Sequence, residues 1–305
     1  MSMQGIVTTP GFAPRTGTST SFVGIMRGEF LKIARLFWLL FGFMAIGFLG
    51  ALLLLGSTPH LNLSIQHTPL SFLYEVTQSA LSIFRILCGI LLLILTSFVI
   101  GREYQYATIR ILLARGVGRL QLLLAKLAMV ALVALALVVA FVLITAIFLC
   151  LLVLVLVGNL HALSAQTPAF WLNTGSDLLA VLLSMGVTIL LAAAMNALGR
   201  SLTFGLSTSL VWFPIDNFGA LLMNPIAELT HSNFWRVITI YLLGPLLNHL
   251  PDKLLPANVQ GNLASFGAEP LVSFSVAHAL LVIGIYALLF LVVAFITTWK
   301  RDTTE

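Results

Sequence analysis

LLLAKLAMVALVALALVVAFVLITAIFLCLLVLVLV, Leu122 to Val157, holds no charged residue after Lys126. About 20 apolar residues cross the hydrocarbon core of a bilayer. A backbone in lipid must also satisfy its own hydrogen bonds, which here means a helix. The run exceeds one crossing, so its span is placed at 128–157, tilted or begun by an interfacial turn. Five further apolar runs lie outward from it: Leu36–Gly56, Ala80–Ile100, Leu178–Leu198, Leu202–Met223 and Phe274–Trp299. Apolar residues make up 60% of the chain and charged ones 8%, and mean hydropathy is +1.08. Soluble β-rich and α/β folds are thereby excluded. The expectation is an all-α integral membrane protein of six spans, with a single membrane domain over 21–305. Residues 1–20, rich in Thr, Ser, Gly and Pro and lacking an apolar core, read as a loose cytoplasmic tail without a cleavable signal.

A seventh candidate, Phe234–Leu250, is short and broken by Arg236, Gly244, Pro245, Asn248 and His249. It reads as a re-entrant or interfacial segment. The whole outer stretch Asn224–Ser273, with Trp235, Tyr241, Pro245, Pro251 and Pro256 among its residues, is expected to form a lid over the outer exit or a structural cap.

Basic residues fix the orientation. Arg15, Arg27, Lys32 and Arg35 precede span 1. Arg102, Arg110, Arg115, Arg119 and Lys126 lie between spans 2 and 3. Arg200 lies between spans 4 and 5, and Lys300 and Arg301 follow span 6. That puts 12 of the 15 Lys and Arg on one side, which predicts cytoplasmic N- and C-termini. Arg236 and Lys253 fall outside, and Arg85 lies within span 2. The net charge of +5 is topological and forms no nucleic-acid-binding domain.

Ahead of span 1, Phe22, Val23, Met26, Phe30, Ile33, Ala34 and Phe37 share one helical face, while Arg27, Lys32 and Arg35 share the other. This pattern predicts an interfacial helix with its basic face toward anionic headgroups. The bland alternative is that these cations only anchor span 1. Two charges fall within spans, Arg85 and Asp216. By residue count both sit ~8–10 Å below the outer surface, and a lone charge at helix centre costs about 2.5–3.5 kcal/mol. They are expected to pair as an outer latch. Otherwise Arg85 snorkels and Asp216 bonds backbone freed by Pro214.

The connector GREYQYATIRILLARGVGRLQLLLAK, Gly101–Lys126, is basic yet carries Leu112 and Leu113. It can dock a soluble partner or merely bind headgroups. Here the chain resembles the membrane subunits of ABC-2-type ATP-binding-cassette transporters, which have the type V exporter fold. Glu103, Thr108, Arg110, Leu112, Leu113, Arg119 and Ala125–Lys126 match that family's pattern after its second span. Ala107 replaces a glycine and Gly116-Val117-Gly118 a proline turn. The tail Trp299-Lys300-Arg301-Asp302 is similar too. The resemblance implies an exporter permease in the inner membrane of a prokaryote, paired with a second permease subunit, either an identical copy or a close homologue. It also implies a coupling loop of Glu103, Thr108, Arg110, Leu112, Leu113, Arg115 and Arg119 seated on a cytoplasmic ATPase that binds ATP and Mg.

No cofactor is expected in the chain itself. Its four lysines, Lys32, Lys126, Lys253 and Lys300, neither follow glycine nor precede Ser or Thr, so no phosphate-binding loop is present. The six histidines show no i, i+4 pair for a metal. Cys88 and Cys150 lie in apolar spans and are expected as free thiols. An intramembrane enzyme has only Gly205-Leu206-Ser207 and His278 to offer. An ion-gradient-driven transporter is the stronger alternative, although the two halves show no clear repeat.

Overall fold

The computed structural model describes residues 22–57, 65, 67–105, 118–254 and 268–300. Among them 91% are helical and none forms a strand. The long helices are α1 (Phe22–Gly56), α2 (Pro69–Gln105), α3 (Arg119–Val157), α4 (Pro168–Gly199) and α5 (Leu202–Thr230). Two short ones, α6 (Phe234–Ile238) and α7 (Leu243–Leu254), precede α8 (Val276–Lys300). Single 3-10 turns occupy His161–Ala165 and Thr239–Tyr241.

Five helices, α1 to α4 and α8, are long and apolar enough to cross a membrane. The chain is therefore a multi-pass membrane protein. The sixth expected span, α5, has the length but is diluted by Pro214, Asp216, Asn217, Pro225 and Glu228. Neither of its prolines interrupts it. The helix runs through Pro214 and Pro225 unbroken, and Asn217 Nδ2 adds a side-chain bond to the Phe213 carbonyl at 2.7 Å.

The helices outrun their apolar cores, because caps rather than hydropathy set their ends. Thr167 and Ser201 accept from Phe170 N and Phe204 N to start α4 and α5. The 39 residues of α3 extend ~58 Å, with no interfacial turn at its start. The boundary expected near residue 35, between a surface helix and span 1, is likewise not a break. Glu29, Ile33, Phe37, Met44, Phe48 and Leu52 are buried along one stripe of α1. Their four- and seven-residue spacing carries the packed face from the opening segment straight into the span.

α2 is the hub. In its most apolar window 67% of residues are buried, against 17% in α1 and 22% in α3. Phe48, Phe84 and Phe141 tie α1, α2 and α3 together, with ring centroids 4.1–6.3 Å apart. Such pairs contribute about 0.5–1.5 kcal/mol each beyond buried area. The first turns of α2, missed by the apolar run Ala80–Ile100, bury Phe72, Leu73 and Val76 against Leu149, Val153 and Phe170.

Between α2 and α4 the packing keeps one register. Tyr74 Oη accepts from Asn173 Nδ2 at 2.9 Å, Gln78 Nε2 donates to Asp177 Oδ2 at 3.2 Å, and Ser97 Oγ accepts from Asn196 Nδ2 at 2.9 Å. Each pair is separated by 99 residues. Polar cross-links between membrane helices contribute ~0.6–2 kcal/mol apiece.

The segment 234–250 forms no seventh span. α6 and the following 3-10 turn are too short, and the 12 residues of α7 reach ~18 Å. Leu243, Leu246, Leu247 and Leu250 pack α7 against Ala180, Val187, Leu191, Val282 and Ile283 of α4 and α8.

Candidate functional site

Two buried polar assemblies stand out, one at the last turn of α2 and one near its middle. The first lies where the chain leaves α2 for residues 106–117. Glu103, in the last turn of α2, points back into the bundle. Its Oε2 lies 2.8 Å from Lys126 Nζ of α3, and its Oε1 lies 3.4 Å from Lys32 Nζ of α1. Glu29 of α1 completes the group, 2.5 Å from Lys32 and 3.5 Å from Lys126. Lys126 also donates to the Val99 carbonyl at 2.5 Å. Glu29, Glu103 and Lys126 are each at most 6% exposed. Only Lys32 reaches solvent, with 51% of its side chain exposed. Two acids and two lysines make a neutral set, the condition under which charges tolerate burial.

One turn earlier, α2 meets α4 and α5. Asn196 Nδ2 donates to Ser97 Oγ and to the Ala192 carbonyl. Its Oδ1 has no hydrogen-bond partner among the described residues. A Cβ on Gly101 would lie 2.5 Å from that oxygen, and one on Gly205 2.1 Å. Only glycine hydrogens fit there. The last turns of α2 are thus joined to α1 and α3 by charge and to α4 and α5 by close approach.

The second assembly lies under α7. Asp216 of α5 accepts from the backbone N–H of Leu243 at 3.0 Å and also from Gly244. A carboxylate here caps the α7 N-terminus from another helix, at the positive end of its dipole. Arg85 of α2 donates to the Leu247 carbonyl. Asn217 accepts from Asn248 Nδ2 at 2.8 Å through its side chain and from Ala268 N at 3.1 Å through its carbonyl. Gly244 permits the approach, since its Cβ would lie 2.8–2.9 Å from Asn217 Cα and N and from the Asp216 carbonyl carbon. Arg85, Ser184, Thr188, Trp212, Asp216 and Asn248 line a shared cavity of about 40 Å³. It has room for water but not for a substrate-sized molecule. On the far side His278 Nε2 lies 3.0 Å from the Ile240 carbonyl, and Thr239 Oγ1 accepts from Leu271 N.

Of the expected loop residues, Glu103 lies in the charge cluster and Arg119 opens α3. Thr108, Arg110, Leu112, Leu113 and Arg115 lie outside the described residues. Arg27 and Arg35 are exposed, whereas Lys32 turns to Glu29 and Glu103. Arg85 and Asp216 are brought to one cavity and one short helix. Glu29 escaped the sequence reading. Its signal was an acid three residues before Lys32 in an otherwise basic segment. Asn196 with its two glycines carried no pattern at all. Both cysteines are free, Cys88 buried and Cys150 exposed.

A family model described as "ABC-2 family transporter protein" matches residues 25–213. That stretch holds the charge cluster and the Asn196 contact entire, and stops just short of Asp216. No curated protein matches the chain.

Proposed function

The chain belongs to the ABC-2 family of transporter proteins, and on that premise we propose that it is the permease subunit of an ATP-binding-cassette exporter. It sits in the inner membrane of a prokaryote with both termini cytoplasmic. A separate ATPase subunit binds ATP and Mg and docks on the coupling loop that follows Glu103 and carries Thr108, Arg110, Leu112, Leu113, Arg115 and Arg119. The observation that carries this reading is the buried cluster Glu29–Lys32–Glu103–Lys126. It clamps the stem of that loop to two membrane helices, so force applied to the loop reaches the spans. A second permease subunit, an identical copy or a close homologue, packs along α5. There Val211, Ile215, Phe218, Leu222 and Leu229 are exposed at three-, four- and seven-residue spacing on a helix otherwise rich in polar groups. At the outer end α6 and α7 form a gate held shut by Arg85 and Asp216.

The test is co-expression with the cognate ATP-binding-cassette ATPase, followed by co-purification and assay of ATP-driven efflux in vesicles. The wild type retains the ATPase. Arg110→Glu with Arg115→Glu keeps the folded permease but loses the ATPase and the transport, each desolvated charge contact contributing on the order of 2 kcal/mol. Undiminished co-purification by the double variant rejects the docking role.

A further inference from the structure

We infer that a groove between α1 and α3 holds one acidic phospholipid, with an acyl chain along the groove and the phosphate on Arg27. The groove encloses about 550 Å³ and opens to the outside of the bundle. Its walls are large apolar side chains of α1, including Phe30, Phe37 and Trp38. The hollow comes from small residues of α3, Val133, Ala136 and Ala140. Among the described residues Arg27 is the only charged side chain lining it.

Length and width choose the occupant. Met129 to Ala140 rises ~16 Å, about half of a ~30 Å hydrocarbon core and so the depth of one leaflet. The volume spread over that length leaves a mean cross-section of roughly 30 Å², less than half that of a helix about 10 Å across. A hydrocarbon chain fits, and a helix from a second copy does not. Charge chooses the headgroup. Glu29, two residues from Arg27, is already held by Lys32 and Lys126. Among the described residues no carboxylate forms an ion pair with Arg27. Its guanidinium stands at the same end of the groove as the neutral cluster, where a phosphate can accept from it bidentately. The inference rests on the protein's being in a membrane and does not depend on what it transports.

Native mass spectrometry of the detergent-purified protein is the test, with equal phosphatidylglycerol and phosphatidylcholine of matched chains added. The wild type is expected to hold one lipid per chain through activation. It should favour the acidic lipid about fivefold, the size of one basic side chain's attraction near an anionic headgroup. Arg27→Gln should still hold a lipid but with no preference, and Ala136→Phe should hold neither. An unchanged preference in Arg27→Gln, or an unchanged retained lipid in Ala136→Phe, overturns the proposal. A photoactivatable phosphatidylglycerol added to the wild type gives a readout that no variant's folding can spoil. Cross-links within 129–140 support the site, whereas labelling spread evenly over the outer helix faces marks ordinary annular lipid and rejects it. Efficient Leu132→Cys disulfides between copies would place a second chain there and also reject it.

Discussion

At the last turn of α2, four side chains neutralise one another; near its middle, Arg85 and Asp216 each meet the backbone of α7. The difference lies in what each charge depends on. Within the Glu29–Lys32–Glu103–Lys126 set every charge needs another charge, and all four sit on long helices. Deleting one strands another in a dry interior. Under α7 the partners are N–H and C=O groups of a 12-residue helix, an element that can shift without a long helix breaking. The first assembly suits a joint that must transmit force. The second suits a closure that must release.

The largest effect is expected where a buried charge loses its partner. Lys126→Met leaves Glu103 and Glu29 with only the half-exposed Lys32, at a cost of about 3–5 kcal/mol, read as a large drop in thermal midpoint in detergent. Exchanging the charges, Glu103→Lys with Lys126→Glu, should restore part of that drop. A Lys126→Met protein as stable as wild type would dissolve the contrast between the two assemblies.

Next comes Gly244→Ala. Its Cβ would press on α5 backbone rather than on a yielding side chain. About 1–3 kcal/mol is expected, together with faster labelling of a cysteine placed at Asn248 as α7 lifts. Equal labelling with and without the methyl group would mean that α7 does not rest on α5.

Asp216→Asn should cost less, about 0.5–2 kcal/mol, the range of a lost helix cap. Here the exchange Arg85→Asp with Asp216→Arg should give no recovery, because an arginine at 216 would face N–H donors. Recovery would show instead that the two charges pair directly. The smallest effect belongs to Lys32→Ala. It shares the cluster but reaches water, so at most about 1 kcal/mol is expected, a difference from Lys126 that a paired melting series can resolve.

The long helices were legible because lipid punishes polarity uniformly along a 20-residue window. What escaped was whatever rests on a partner far away in the chain. Glu103 was singled out for a partner outside the protein, yet its carboxylate turns inward to Lys126. The hydrophobic pattern stops at Ala80, but α2 starts at Pro69 because Phe72 and Val76 have α3 and α4 to pack on. Arg85 and Asp216 could be placed at one depth from residue counts alone. That α7 lies between their roles could not, since nothing local marks Leu243 and Leu247 as backbone partners. Gly101, Asn196 and Gly205 look ordinary until three helices converge on them.

The constant separation of 99 residues between the bonded positions of α2 and α4 also sets a clock. At about 5–20 residues per second, the ribosome takes roughly 5–20 s to deliver Asn173, Asp177 and Asn196 after Tyr74, Gln78 and Ser97. Leu247 follows Arg85 by 162 residues, longer still. Throughout that wait α2 carries unmatched polar groups, and it must be sheltered at the insertion machinery or shielded by water. When α4 arrives, the shared offset makes its docking all-or-none, because a slip of one residue would break the three bonds together. Chains arrested before residue 168 should therefore stay bound to the insertion machinery, and chains arrested after the α4 end at Gly199 should leave it.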